Sequence, residues 1–324
     1  VAALAAGRAG LRVILADQGE VFGGSLNWER YEIDGEPGIE WVSQVVSQLE
    51  QMSNVIGLPR TTVTGVYDHN VTTLLQRGSG NRWRECFWTV RPGHILLATG
   101  AIEQGLIFPN NDRPGIMLAG AVRHYLNRYA VKPGQHVVLV TNNDTAYQTV
   151  FDLAREHIRT ALVIDTRKEI DPALRQQLTE HDTRLLTDAR IADTRGGKGI
   201  RSVKVQGHDG SDLGTHACDL LAVSGGWAPR VHLLAHARGA LQFDPPSQSF
   251  IPDDLPAGMS VTGSANGSAG LQEILAESVR TTHALVERLG KECSPQQPPQ
   301  VTRRIIESRH VGTSKVTPSR RLSL

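Results

Sequence analysis

Apolar residues along this chain fall into two kinds of run. Short continuous blocks, weighted to Val, Ile and Leu, stand at 11–16 (LRVILA), 95–98 (ILLA), 136–140 (HVVLV), 161–165 (ALVID), 220–224 (LLAVS) and 259–262 (MSVT). Blocks of that length and composition predict strands of a parallel sheet, covered on both faces. Between them lie stretches with helical spacing. Residues 38–52 put Ile39, Val42, Val45, Val46 and Leu49 on one face, and 1–9, 145–156 and 271–289 also predict helices, the last amphipathic. Segments 61–67, 71–76 and 83–90 alternate instead and predict a small antiparallel sheet, while 185–188 and 203–207 add further strands. Blocks and helices taking turns predict an α/β protein.

The turns between elements sharpen that prediction. The helix at 1–9 stops at Gly10, and the block at 11–16 ends in Asp17, the arrangement of the second half of a βαβ dinucleotide unit. There the carboxylate accepts hydrogen bonds from the ribose hydroxyls of the adenosine half. The glycine-rich turn that cradles a pyrophosphate is expected just before Val1, so Val1 is read as an internal cut and the first domain as lacking its N-terminal strand. Gly23, Gly24 and Ser25 then let the backbone pass close to a cofactor and offer a hydroxyl. A second block runs into Thr99-Gly100-Ala101, a turn without a Cβ where a side chain collides with a bound cofactor. After Pro133-Gly134 a second α/β unit begins, but its turn, Thr141-Asn142-Asn143-Asp144, contains no glycine, and Asp144 repels an anion there. That unit is expected to have the nucleotide fold without a tight nucleotide, with Asn142 or Asp144 capping the next helix. Asp165 is read as a strand-end residue, and Gly225-Gly226-Trp227 as the return toward the first domain. The last block enters Gly263-Ser264-Ala265-Asn266-Gly267. Flavin-binding relatives of this fold carry Gly-Asp there, with the carboxylate on the ribitol; Ser264 weakens the case for FAD and suits an NAD ribose or amide.

The organisation expected is therefore two interleaved Rossmann-like dinucleotide-binding domains of the pyridine nucleotide–disulfide oxidoreductase type. Residues 1–112 with 243–290 form the first, an NAD domain, and residues 113–242 the second, its nucleotide turn degenerate. Residues 291–324 form a Pro/Gln linker and a disordered basic tail.

Composition mostly removes alternatives. The formal charge is +1 over 324 residues, which gives no reason to expect nucleic acid or an anionic membrane as partner. Arg303, Arg304, Arg320 and Arg321 lack interleaved aromatics and read as a solvated tail. There is no apolar run of the ~20 residues that a membrane span needs, nor a secretory signal pattern. Cys86, Cys218 and Cys293 form no CxxC pair, which argues against a disulfide framework and for a reducing, cytoplasmic compartment. The 12 histidines are scattered, His94 included, and read as surface or satisfied core residues, with no metal site expected. No GxSxG elbow, close Cys/His pair or general base for C–H oxidation stands out, so no catalytic residue is assigned and any flavin chemistry is expected from another chain.

The strings ATGAIEQGLIFPNNDRPGIMLAGAVRHYLNRY, VVLVTNNDTAYQTVFDLA, VIDTR, CDLLAVSGGWAPRVHLL and GSANGSAGL resemble the α subunits of heterotetrameric sarcosine oxidase, and the similarity runs to about residue 290. Related α subunits occur in opine oxidases, hydrogen cyanide synthase and dye-linked amino-acid dehydrogenases. The resemblance implies a non-covalent NAD in the first domain. It implies sarcosine oxidation with O2 in a partner β subunit carrying FAD and a covalent FMN, with γ and δ subunits completing the assembly. The products are glycine, H2O2 and formaldehyde, or methylenetetrahydrofolate where a C-terminal folate domain, not found in this stretch, takes up the one-carbon unit. Carried over by position, Asp17 and Gln18 meet the adenosine ribose, Ser25 reaches the cofactor and Val63 lies beside adenine. Ala265, Asn266 and Leu271 belong to the loop closing over the nicotinamide half, and Gly23, Gly24, Thr99, Gly100 and Gly263 complete the set. Gln104-Gly105 stands where the family has Arg-Pro, and Gln18 where an acid is usual. The alternatives are an FAD- and NAD(P)H-dependent reductase without its cysteine pair, an opine or amino-acid dehydrogenase α subunit, or a scaffold whose nucleotide site has decayed.

Overall fold

The computed structural model describes residues 1–78, 83–292 and 296–303. Cys293 and the basic tail from 304, with Arg304, Arg320 and Arg321, lie outside the described residues. The chain divides into two compact units, Val1–Ala101 with Pro229–Asp244 and Ser249–Arg304, and Ile102–Ala228 with Pro245–Gln248. The divide thus falls at 101–102 and 228–229, at the ends of the Thr99-Gly100 and Gly225-Gly226 turns, rather than at 112–113 and 242–243.

The first unit opens with helix α1 (Ala2–Arg8), whose chain reverses through Gly10 at φ +76°. Strand β1 (Val13–Ala16) follows, and pairs in parallel with β2 (Val55–Leu58) across helix α2 (Gly38–Glu50). Asn54 fixes this corner by donating from Nδ2 to the carbonyls of Gly7 (2.8 Å) and Leu11 (2.7 Å). The expectation that 11–16 is a buried strand is corrected here. Among the described residues it pairs with β2 only, and the facing Ile14 and Ile56 are 42% and 52% exposed, because a parallel strand is buried only when both faces are covered. Strands β3 (Thr61–Val66), β4 (Thr72–Arg77) and β5 (Glu85–Val90) form the small antiparallel sheet foreseen from their alternation. Strand β6 (Ile95–Leu97) then leads into the Thr99-Gly100 turn.

The second unit is built on a five-stranded parallel sheet. Its strands are β7 (Ile116–Leu118), β8 (Val137–Thr141), β9 (Thr160–Asp165), β10 (Arg184–Leu186) and, after the antiparallel β11 (Ala189–Gly196), β12 (Ile200–Gly207) and β13 (Asp212–Ala217), strand β14 (Leu220–Ser224). The order across the sheet is β7-β14-β8-β9-β10, so the sequence of strands reverses between β14 and β8. All five residues of β8 are buried, and alternate ones face opposite ways. Val137 and Leu139 pack with residues of helices α3 (Ala119–Tyr129), α4 (Tyr147–Arg155) and α5 (Pro172–Glu180). Val138 and Val140 pack with Ile191, Ile200, Val203 and Val205 of the β11–β13 sheet and with Leu106 and Phe108. Burying a Val or Leu on either side contributes about 1.5–3 kcal/mol, so this three-layer core is the main source of the unit's stability.

The chain returns to the first unit with the hairpin β15 (Leu241–Asp244) and β16 (Ser249–Pro252), then β17 (Met259–Val261), parallel to β6 in the register Val261 to Leu97. Helix α6 (Leu271–Arg288) follows and packs on α1. The expectation that everything from 291 is linker and disordered tail is corrected at one point. Val301–Arg303 forms strand β18, paired with Glu32–Ile33, because buried Val301 takes a place beside fully buried Ile33.

Candidate dinucleotide site

All twelve residues proposed from the sequence fall in the first unit, eleven of them in two groups beyond strand ends and Val63 within a strand. The first group follows β1. Its pairing with β2 places Asp17 beyond the strand's C-terminal end, where the Asp17 N–H donates to the Leu58 carbonyl and the Thr61 N–H, opening β3, donates to the Asp17 carbonyl. One carboxylate oxygen, Oδ1, accepts from the Gly19 N–H at 2.7 Å and so fixes the side chain's direction. Gln18 is exposed. Gly23 takes φ +119°, and a Cβ there meets Val42 Cγ1 at 2.6 Å, so only glycine lets this loop lie on the apolar face of α2. Gly24 (φ +57°) and Ser25 begin a 3-10 turn and are exposed, with open space where a Gly24 Cβ would stand. The Ser25 hydroxyl donates to Glu29 at 3.0 Å. Val63 is half-buried in the middle of β3, opposite Leu74.

The second group lies at the paired ends of β6 and β17. The Thr262 N–H donates to the Leu97 carbonyl, which brings the Thr99-Gly100 turn beside the Gly263 turn. Gly100 (φ +72°) has open space at its Cβ position, and its carbonyl accepts from the Arg230 N–H at 2.9 Å. The Thr99 hydroxyl donates to the Arg230 carbonyl at 2.7 Å. Gly263 (φ +70°) starts a second 3-10 turn that ends at Gly267 (φ +85°), where a Cβ meets Ile251 Cγ2 at 2.9 Å. Ala265 is fully buried, and Leu271 opens α6 half-buried. The side chain of Asn266 is committed inward, donating to Glu277 at 2.6 Å.

Two residues of this group were not anticipated. Arg230 has a buried Nε with no hydrogen-bond partner, held beside the Thr99-Gly100 turn by backbone bonds. A buried unpaired donor is costly, and an acceptor placed there relieves it. Glu277, the carboxylate beneath the late loop, is the other; neither carries a motif, and only the folded backbone brings them to the turns. An acid at a strand end, two turns open at the Cβ positions of Gly24 and Gly100, an orphan donor at Arg230 and a neutral Ser264 are together compatible with an adenine dinucleotide. The residue after Gly263 in this loop is Ser264, a neutral hydroxyl.

The second unit shows the opposite condition at the place where open α/β sheets bind ligands, the C-terminal ends of strands flanking the reversal of order. Asn143 Nδ2 donates to the Ser224 carbonyl (3.3 Å) and hydroxyl (3.1 Å), bridging the ends of β8 and β14. Arg167 pairs with Asp165 through Nε (3.0 Å) and Nη2 (2.8 Å), and Nη2 lies 2.6 Å from Asp144 Oδ1. Tyr147 donates to Asp165 at 2.7 Å. Burial works against the Arg167 charge, but Asp165 and Asp144 overcome it and raise the pKa; burial and then Asp165 raise that of Tyr147. The capping role expected of Asn142 or Asp144 is corrected: α4 has Ala146 at its N-cap and no side-chain cap, because the Asp144 carboxylate is drawn to Arg167.

His232 and His236 stand four residues apart in a short helix, a spacing that metal sites use, but His236 Nδ1 accepts from the Val66 N–H at 3.1 Å and its ring meets Tyr67 edge-on. Among the described residues no group of three or more His, Cys, Asp or Glu gathers to hold a metal ion. His94 is satisfied as expected. Arg288 donates to Nδ1 at 2.7 Å, which leaves Nε2–H to donate to Ser260 at 2.9 Å. Cys218 is a buried thiol pushed up to about 12 by burial and then by Asp219. No described helix is long and apolar enough to cross a membrane.

No protein-family model matches the chain. It is similar to the sarcosine oxidase subunit alpha of Rhizobium meliloti (strain 1021), 37% identical over 301 residues, covering 91% of this chain and 30% of that protein. The protein of the same name from Corynebacterium sp. (strain P-1) is 39% identical over 282 residues, 82% of this chain and 29% of its own length. The chain thus spans about 30% of the length of the relatives it matches. Among solved structures, thioredoxin reductase of T. acidophilum gives a TM-score of 0.69 at 13% identity, over 89% of this chain and 94% of that one. L-proline dehydrogenase of P. horikoshii gives 0.68 at 18% identity, over 90% of this chain and 54% of that one. The architecture is therefore that of the two-dinucleotide-binding-domain oxidoreductases, and at 37% to 39% identity the chain belongs to the sarcosine oxidase alpha-subunit family.

Proposed function

We propose that this chain is the nucleotide-carrying part of an α subunit in a hetero-oligomeric, cytoplasmic sarcosine oxidase with β, γ and δ partners. The first unit holds NAD and lines the interface with a flavin-bearing partner, where sarcosine, O2 and water become glycine, formaldehyde and H2O2. The observation that carries the reading is the pairing of an acid at the end of β1 with a neutral late loop at Ser264, in a chain whose relatives bear the name sarcosine oxidase. An NAD bound here supplies an adenine dinucleotide anchor and a nicotinamide capable of hydride exchange. This chain's own residues do the binding: Asp17 accepts from ribose hydroxyls, the Gly23–Ser25 loop and Gly100 admit the backbone of the ligand, and Arg230 offers its orphan donor. The second unit carries no dinucleotide in this reading, because Asn143, Ser224, Arg167 and Asp144 already satisfy one another where one would sit. FAD and FMN belong to the partner, and tetrahydrofolate to a domain beyond this stretch.

Partner dependence tests the assignment. The complete protein purified alone is expected to show no H2O2 production with sarcosine, and to gain it when combined with its flavoprotein partner. Turnover by the protein alone, with flavin as its sole bound nucleotide, points instead to the self-sufficient FAD-dependent reductase and overturns the reading.

A further inference from the structure

Glu277 stands in the second turn of α6, is 9% exposed, and has no lysine or arginine paired with it among the described residues. Its carboxylate accepts three hydrogen bonds, all from the loop at the end of β17. Oε2 takes the Gly263 N–H at 2.8 Å and the Ser268 hydroxyl, and Oε1 takes Asn266 Nδ2 at 2.6 Å. Every partner donates, so both oxygens serve as acceptors, which is how an ionised carboxylate is used. Within the loop the Ser268 N–H donates to the Gly263 carbonyl and the Gly267 N–H to the Ser264 carbonyl, both at 3.2 Å, and Ala265 packs into the core with Leu97, Met259 and Val261. A buried charge is costly unless hydrogen bonds compensate it, and here the donors that compensate it are the loop itself.

We propose that Glu277 is a positioning residue of the dinucleotide site, fixing the 263–268 loop from beneath and biasing it toward the oxidised, cationic form of a nicotinamide. This deepens the NAD reading above and rests on it. NAD+ and NADH share their adenine, riboses and pyrophosphate and differ by one unit of charge on the nicotinamide ring. The three donors on Glu277 are neutral and leave its net negative charge in place, so the charge favours NAD+, whereas purely mechanical support of the loop serves both forms equally. Glu277→Gln removes the charge at nearly constant shape; Glu277→Asp keeps the charge but shortens the reach to the loop.

The test is the affinity of the complete protein, stripped of bound nucleotide, for NAD+ and for NADH. The wild type is expected to prefer NAD+. E277Q should lower that preference by roughly fivefold, the coupling one partly screened charge produces. E277D should keep the preference while amide exchange across 263–268 accelerates. Equal wild-type affinity for the two forms overturns the proposal, as does a loss in E277Q that is the same for both, and either leaves the NAD reading standing. Binding of neither form by the wild type overturns the proposal together with that reading.

Discussion

Single side chains in this protein are decided by what sits beside them rather than by type. His94 looks from the sequence like an ordinary histidine next to a strand, and the structure makes it a neutral link between Ser260 and Arg288. Burial first, and the Arg288 charge second, lower its pKa from 6.5 to about 4. Unfolded, the imidazole binds a proton below about 6.5; folded, it does so only near 4. The unfolded state thus holds more protons between those values, and stability contributed by neutral His94 is present above 6.5 and lost as the pH falls through that window. The melting temperature of the wild type should fall more steeply from pH 6.5 to 4 than that of His94→Gln; parallel curves would show that the ring is not held neutral. Asp17 was legible because strand, acid and glycine loop stand in order along the chain. Arg230 was not, since it reaches the Thr99-Gly100 turn from 131 residues away, and Glu277 was not, since an acid on an amphipathic helix does not show from its sequence that it faces the loop before it.

Elements follow the same division between local and distant causes. The blocks at 136–140, 161–165 and 220–224 were legible because a strand covered on both faces must be apolar at every position, and all five residues of β8 and of β14 are buried. Of the three-stranded sheet β11–β13 only 203–207 was foreseen. Its strands carry Arg190, Asp193, Lys204 and Asp212 on the outer side, and their inward residues are too widely spaced to read as blocks. Between α3 and α4 lies a buried ion pair that no periodicity announces: Arg123 Nε donates to Asp152 at 2.8 Å, and Gln148 and Asn127 donate to the same carboxylate. Arg123 and Asp152 are 4% and 0% exposed and the next cation, Arg155, lies 3.9 Å from the carboxylate, so removing Arg123 takes away the buried acid's close charge partner. Arg123→Ala should destabilise the second unit by about 3–5 kcal/mol in denaturant unfolding. A loss below about 1 kcal/mol would place the pair in the range of a solvated surface bridge.

At the scale of the whole molecule, the two units differ in what stands at their strand ends. In one, strand ends open onto turns whose glycines leave space, with an acid and an orphan guanidinium donor nearby. In the other, the corresponding strand ends are closed by Asn143 with Ser224 and by Arg167 with two aspartates. The missing glycine at Thr141–Asp144 announced that closure, but not the residues that carry it out. The proposed function places one dinucleotide in the first unit, held through Asp17. Its most direct test is the nucleotide released on denaturing the complete protein, identified by chromatography, in wild type and Asp17→Ala. The account predicts stoichiometric NAD from the wild type and its loss from D17A, with the circular dichroism of the protein unchanged. Release of flavin alone, or full retention of NAD in D17A, would contradict it.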